Sequence, residues 1–225
     1  AAGNTVVLKP SSDTPMMAWL FQDIMHKAGL PKGVLNYLVA SGAQAGDYMV
    51  EHPKTRFITF TGSKEVGLRI NELAAKKHPD QKWIKRLIVE MGGKDTIIVD
   101  SEADIDDAVN GVVASSYGFQ GQKCSACSRA VVDASIYDEF VEKLKIETEK
   151  LEMGDPVENY PVGPVINEAA QNSIMSYVKI GKEEGRLITG GETVDALPGF
   201  YIKPTIIADV DPMARISQEE IFGPV

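Results

Sequence analysis

Short β-rich runs alternate with longer helical stretches along nearly the whole chain. The strand-like runs are Thr5–Leu8, Val34–Val39, Arg56–Phe60, Leu87–Val89, Thr96–Val99, Ala130–Val132, Arg186–Thr189 and Thr205–Val210. Between them, helical patterns cover Pro15–Ala28, Ala43–Glu51, Lys64–Lys77, Ile105–Tyr117, Ile136–Leu151 and Glu168–Glu184, with Gly29 and then Pro31 placed to stop the first. This alternation predicts an α/β fold of parallel sheets covered by helices on both faces. The paired glycines of Met91-Gly92-Gly93-Lys94 interrupt both periodicities, so two lobes, 1–91 and 92–225, are expected to meet there.

Charge and composition remove several classes of function. Asp and Glu outnumber Lys and Arg by 32 to 23, a formal charge of −9, and no basic stretch is present to release counterions from a nucleic acid. No apolar run approaches the roughly 18 residues of a membrane span, so no membrane partner is expected. Two cysteines in 225 residues suit a reducing compartment rather than a disulfide framework, so a cytoplasmic location is expected. Ala1-Ala2-Gly3-Asn4 leads straight into a strand without an initiating Met, and Glu220–Val225 stops without a polar tail. Both ends read as cut, and the chain as an interior segment of a longer one.

An α/β chain invites a search for dinucleotide sites. No two of the 20 glycines are spaced Gly-x-Gly, so the usual fingerprint is absent. Gly62 and Gly67 have P-loop spacing, but Leu68 and Arg69 follow where Lys and Ser/Thr are required. Phe60-Thr61-Gly62-Ser63 remains: a strand end, a turn and a helix start whose free N–H groups suit either a phosphate or nothing beyond a Ser63 cap. Cys124 and Cys127 form a literal Cys-x-x-Cys open to three readings. Zinc would need ligands that the scattered His26, His52 and His78 do not supply. A redox pair would lack its usual flanking residues. A single nucleophilic thiol would sit in a glycine-containing loop beside Lys123, which favours the thiolate. Such a thiol has no histidine nearby, and Glu90, at the end of an apolar strand where burial would raise its pKa, is the candidate base.

Five stretches occur in one order: Lys9-Pro10-Ser11, Phe60-Thr61-Gly62-Ser63, Glu90-Met91-Gly92-Gly93-Lys94, Gly121-Gln122-Lys123-Cys124 and Glu219-Glu220-Ile221-Phe222-Gly223-Pro224. Together they resemble the NAD(P)-dependent aldehyde dehydrogenase superfamily over essentially the whole chain. Within it, Gly118–Arg129, Gly92–Thr96 and Pro204–Val210 are similar to the 1-pyrroline-5-carboxylate dehydrogenases, which oxidise L-glutamate γ-semialdehyde to glutamate in proline and arginine catabolism. The resemblance implies a Rossmann-like fold, incomplete at both ends: residues 1–91 as part of an NAD-binding domain and 92–225 as a truncated catalytic domain.

The same resemblance implies roles. Cys124 takes the nucleophile position and Glu90 that of the general base, with Cys127 a bystander. Lys9 matches the lysine holding the adenosine ribose, Gly62 and Ser63 the turn under the pyrophosphate, Glu220 the acid on the nicotinamide ribose and Phe222 the ring packed near the nicotinamide. Ser12 stands where many NAD-specific members carry Glu, which leaves NADP possible beside NAD. Ser125 is assigned to the substrate's carboxylate. The implied partners are a small aldehyde carrying a carboxylate and, for the longer protein, further copies of itself; no metal is implied. Two alternatives accompany this reading: a non-catalytic folded core with residual cofactor affinity, and a thiol–disulfide oxidoreductase built on Cys124 and Cys127.

Overall fold

The computed structural model describes residues 2–225; Ala1, the first residue of the first expected lobe, lies outside the described residues. The chain divides into two compact units, one ending at Met91 and the other spanning Gly92–Val225.

In the first unit, β1 (Val6–Leu8) and β2 (Leu35–Tyr37) pair in parallel, Val6 opposite Leu35. The connecting helix α1 (Pro15–Lys27) begins on a proline and ends as the sequence requires. Gly29 takes φ +93°, and the N–H groups of Gly29 and Leu30 close back on the carbonyls of His26 (3.0 Å) and Met25 (3.0 Å). The expected helix near Ala43–Glu51 splits into a wide turn, Gly42–Gly46, and α2 (Asp47–Glu51). A Ser41–Gln44 capping box fixes the start of that turn.

Strands β3 (Phe57–Gly62) and β4 (Arg86–Met91) form a longer parallel pair, in register from Phe57–Arg86 to Gly62–Met91. Helix α3 (Lys64–Ala75) lies against them through Ile70, Leu73 and Ala74, which pack with Ile58, Phe60, Leu87 and Val89. The approach is close: a Cβ on Gly67 would stand 2.4 Å from the Met91 sulfur.

The second unit opens with β5 (Asp95–Val99), joined by α4 (Ile105–Tyr117) to its parallel partner β6 (Cys127–Val132). Asp104 caps α4, its carboxylate accepting from the N–H groups of Asp106 (3.0 Å) and Asp107 (3.1 Å). Helix α5 (Tyr137–Glu149) packs on α4, and Val99, Val109, Val112, Tyr117, Cys127, Phe140, Leu144 and Ile206 form one core. Helix α6 (Glu168–Glu184), capped by Asn167, and α7 (Arg215–Gln218) enclose a second core of Val165, Ile174, Ile202, Ile216 and Ile221.

The α/β class stands, with two differences of detail. Strands β7 (Arg186–Thr189) and β8 (Ile206–Ala208) pair antiparallel, because no helix lies between them to make the crossover a parallel pair needs. Coverage is also one-sided. Ile97 and Val99 of β5 and Val132 of β6 enter the core, while Ile98 and Val131 stay exposed on the opposite face. The apolar side chains of α1, including Trp19, Phe21 and Ile24, are exposed as well.

Phe140 is 1 % exposed at the centre of the larger core. Phe140→Ala is expected to lower stability by about 3–5 kcal/mol, read as a fall in the urea midpoint.

Candidate active site

The thiol flagged by the sequence sits in a loop whose shape is imposed by backbone contacts. After α4 the chain turns through Gly118–Gly121, with Phe119 and Gln120 both at φ 57°, a left-handed conformation costing about 1–2 kcal/mol per residue. Gly121, at φ +65°, permits the contact that ends this turn: a Cβ there would meet the Gly223 carbonyl oxygen at 2.2 Å and that of Ser116 at 2.9 Å. The loop is then pinned along its length. The Gln122 side-chain oxygen accepts from Ile166 N–H (3.0 Å), Ala126 N–H donates to Lys123 carbonyl (3.1 Å), and Cys127 N–H donates to Ser115 Oγ (3.1 Å).

Cys124 and Cys127 are both free thiols in unlike settings. Cys127 is buried, its Sγ 3.2 Å from the Arg129 carbonyl, whereas Cys124 is exposed. Beneath Cys124 is a recess of about 20 Å³, room for one water, lined by Gly93, Ser128, Glu220, Phe222 and Gly223 among others. Gly93 packs closely against the Cys124 peptide; a Cβ on it would lie 2.5 Å from the Cys124 carbonyl oxygen. Ser125 is exposed beside the thiol.

The opposite wall is the C-terminal segment. It is seated by Thr205 N–H donating to the Pro224 carbonyl (2.9 Å), and Phe222 adopts φ 57° with its ring partly exposed. Glu219 is clamped by Arg215 Nε (2.9 Å to each carboxylate oxygen) and by the Tyr177 hydroxyl (2.7 Å), which hold its carboxyl below the usual range. Glu220 therefore follows a fixed residue and faces the recess.

Arg129 joins these parts. Its Nε donates to Thr96 Oγ1, one terminal nitrogen to the Ser217 carbonyl and the other to the Lys94 carbonyl, each at 3.0 Å. The Lys94 ammonium nitrogen is dry and has no hydrogen-bond acceptor among the described residues. Burial, with Arg129 nearby, depresses its pKa to about 8 against an attraction from Glu220.

In the first unit the remaining flagged residues stand at the carboxyl ends of parallel strands, where α/β folds bind ligands. Lys9 follows β1 and donates to the carbonyls of Pro10 (2.7 Å) and Ala40 (3.2 Å), leaving one ammonium N–H for a ligand. Ser12 is exposed in the next turn. Gly62 closes β3 under the Phe60 ring, and Ser63 caps α3 through Val66 N–H (3.3 Å), so the other N–H groups of that first turn are available to an anion. These features fit a dinucleotide. Glu90 departs from expectation: it is exposed, because the alternation of β4 turns Leu87 and Val89 to the core and Ile88 and Glu90 to the open face.

Cys124, Glu220 and Phe222 thus share one recess. Lys94, Arg129 and the Arg215–Tyr177 clamp escaped the sequence reading. A lysine leading into an apolar strand was the available signal for Lys94; the others depend on contacts distant in sequence. A separate recess of about 500 Å³, lined by residues including Asn71, Lys77, Trp83 and Lys85, contains none of the flagged residues. Among the described residues no group of three or more His, Cys, Asp or Glu side chains is arranged to hold a metal, and no helix is long and apolar enough to cross a membrane.

Residues 1–225 match the aldehyde dehydrogenase family model. The chain is 59 % identical over 224 residues to 1-pyrroline-5-carboxylate dehydrogenase of Geobacillus kaustophilus, covering 99 % of this chain and 43 % of that protein. Against the Bacillus subtilis protein of the same name the identity is 55 %, with the same coverage. A Thermus 1-pyrroline-5-carboxylate dehydrogenase crystallised with bound NAD superposes with a TM-score of 0.96 at 49 % identity, over 99 % of this chain and 43 % of that one. The chain spans a little under half the length of each of these relatives.

The Lys94 shift makes a stability prediction. Between about 8 and 10.5 the unfolded chain keeps a proton that the folded chain has lost, so this group makes stability rise with pH across that interval. Urea midpoints measured at both ends are expected to show that rise in the wild type relative to Lys94→Met.

Proposed function

The chain belongs to the aldehyde dehydrogenase family, and on that premise we propose that it carries out NAD-dependent oxidation of L-glutamate γ-semialdehyde to glutamate. The observation that carries the reading is one exposed thiol, Cys124, above a recess walled by Glu220 and Phe222, in a loop held by left-handed residues and backbone contacts. Strain retained at such a place marks a working site rather than a passive loop.

In this reading the Cys124 thiolate adds to the aldehyde carbon, and the carbonyl oxygen becomes the oxyanion of a hemithioacetal, met by the Cys124 backbone N–H. Bound NAD supplies the acceptor for the hydride lost from that carbon. The bond to sulfur is then a thioester. Glu90 takes a proton from water, the resulting hydroxide attacks the acyl carbon, the thiolate returns, and the carboxylic acid so formed loses its proton to solvent and leaves as the carboxylate. Thiolate serves both halves because it is a strong nucleophile near neutral pH and a good leaving group from an acyl carbon.

The remaining assignments belong to the same proposal. Residues 1–91 serve as part of the NAD-binding domain, with Lys9 on the adenosine ribose and Gly62, Ser63 and the start of α3 on the pyrophosphate. Residues 92–225 serve as catalytic domain, with Glu220 on the nicotinamide ribose, Phe222 against the nicotinamide and Ser125 on the substrate carboxylate. Ser12 brings no carboxylate to the ribose 2′ position, so NADP is accepted beside NAD. Two free thiols suit a reducing compartment such as the cytoplasm, and the active form is a homo-oligomer.

A second reading, a folded core that binds the dinucleotide without turnover, is favoured by the 43 % share of its relatives that the chain spans. One assay separates the two. Reduced cofactor is followed at its near-ultraviolet absorbance after the chain is mixed with the semialdehyde and NAD. Sustained turnover, abolished by Cys124→Ser and largely kept by Cys127→Ser, is expected; cofactor binding without absorbance change supports the second reading. Equal loss from both variants would indicate thiol–disulfide chemistry instead. Glu90→Gln is expected to release one equivalent of reduced cofactor and then stall, whereas unchanged steady-state turnover would remove Glu90 from the base role.

A further inference from the structure

Ile174, Tyr177, Gly181 and Glu184 form one stripe along α6, at intervals of three, four and three residues. The stripe is about 15 Å long, and each of its members meets residues 215–223. The Glu184 carboxylate accepts from Arg215 N–H (3.1 Å) and Ile216 N–H (3.0 Å), satisfying the start of α7. Gly181 lets Ile216 come close; a Cβ on it would stand 3.2 Å from the Ile216 Cδ1. The Tyr177 hydroxyl donates to Glu219 (2.7 Å), and the Arg215 guanidinium lies 5.6 Å from the centre of its ring. Ile174 packs beneath Gly223, where a Cβ would stand 2.5 Å from the Ile174 Cδ1.

Only Glu220, Ile221 and Phe222 lie between the last two of these contacts. Ile221 is buried in the core that includes Ile174, while Glu220 and Phe222 on either side of it line the recess at Cys124. Glu220 is therefore one peptide bond from a carboxylate that Arg215 Nε reaches at both oxygens, each at 2.9 Å. Neither Tyr177 nor Arg215 lines the recess. Arg215 and Glu219 are both partly exposed, and a pair of that kind contributes little to stability. What the clamp supplies is direction, because the Tyr177 hydroxyl ties Glu219 to a helix anchored in the core through Ile174.

We propose that Tyr177 is a positioning residue for Glu220: through Glu219 it sets where the Glu220 carboxylate stands against the ribose hydroxyls of a bound dinucleotide, a role that rests on the function proposed above. With that anchor lost, the chain beyond Glu219 samples further positions, and ordering it becomes part of the cost of binding.

The test is a double-mutant cycle on NAD affinity, measured by calorimetry, with Tyr177→Phe, Glu220→Gln and the pair. Tyr177→Phe removes one hydroxyl and keeps the ring that Arg215 faces. It is expected to weaken NAD about fivefold to tenfold with Glu220 present and less than about twofold in the Glu220→Gln background. Alkylation of the exposed Cys124 by iodoacetamide is expected to stay within about twofold of the wild-type rate, since the thiol loop is held by other contacts. Unchanged NAD affinity in Tyr177→Phe, additive losses in the pair, or an equal change in Cys124 alkylation overturns the proposal.

If the wild-type chain binds no NAD, the functional reading falls, and the positioning is read from amide hydrogen exchange. The Glu219 N–H, bonded to the Arg215 carbonyl at 2.9 Å, is compared with the Phe140 N–H in the other core, bonded to the Ile136 carbonyl at 2.9 Å. Faster exchange at Glu219 alone is expected in Tyr177→Phe. Equal acceleration at both amides, or no change at Glu219, overturns the positioning role.

Discussion

The Arg129 guanidinium ties the entry of β5, through the Lys94 carbonyl and Thr96 hydroxyl, to the Ser217 carbonyl ahead of the C-terminal segment. The planar fork of an arginine suits that task because its donors leave in fixed directions and cannot be lost by deprotonation. With those ends joined, Gly93 can rest on the Cys124 peptide and Gly121 on the Gly223 carbonyl, contacts that leave no space for a side chain. The Cys124 loop is thereby enclosed by backbone on two sides, and its thiol is left facing outward.

That construction trades stability for geometry. Phe119, Gln120 and Phe222 occupy the left-handed region without being glycine, and Lys94 keeps a charge away from water. Apolar burial in the adjoining cores, centred on Phe140 and Ile174, opposes these costs. The division is sharp in the chain: regular, well-packed helices such as α4 and α6 surround irregular turns that hold the flagged residues. Asn159 and Asp209 are left-handed elsewhere in the chain, but Phe119, Gln120 and Phe222 place three such residues in the turns that shape the Cys124 recess.

The regular elements were legible in the sequence because they depend on local periodicity. Helices Ile105–Tyr117 and Glu168–Glu184 and strand Arg186–Thr189 fall at the bounds the pattern predicts. Gly29 ends its helix by the mechanism its position suggested. The antiparallel β7–β8 pair needed attention to what was missing between the strands, since pairing direction is set by the connection and not by the strands themselves. Exposure was the harder quantity. Glu90 shares a strand with apolar neighbours, yet only every second residue of β4 turns inward, and its position has the wrong parity for burial. Arg129 read as a flanking residue of the cysteine motif because its partners, Lys94 and Ser217, lie 35 and 88 residues away.

Cys124 as the covalent nucleophile is the central claim. Its most direct test is to mix the chain with the semialdehyde and NAD, quench with acid within a turnover, and map thiol modifications by peptide mass spectrometry. A glutamyl thioester on the peptide containing Cys124, at the sulfur of Cys124 and dependent on NAD, is the expected result. Acylation at Cys127, or reduced cofactor formed with no adduct on either thiol, would contradict it.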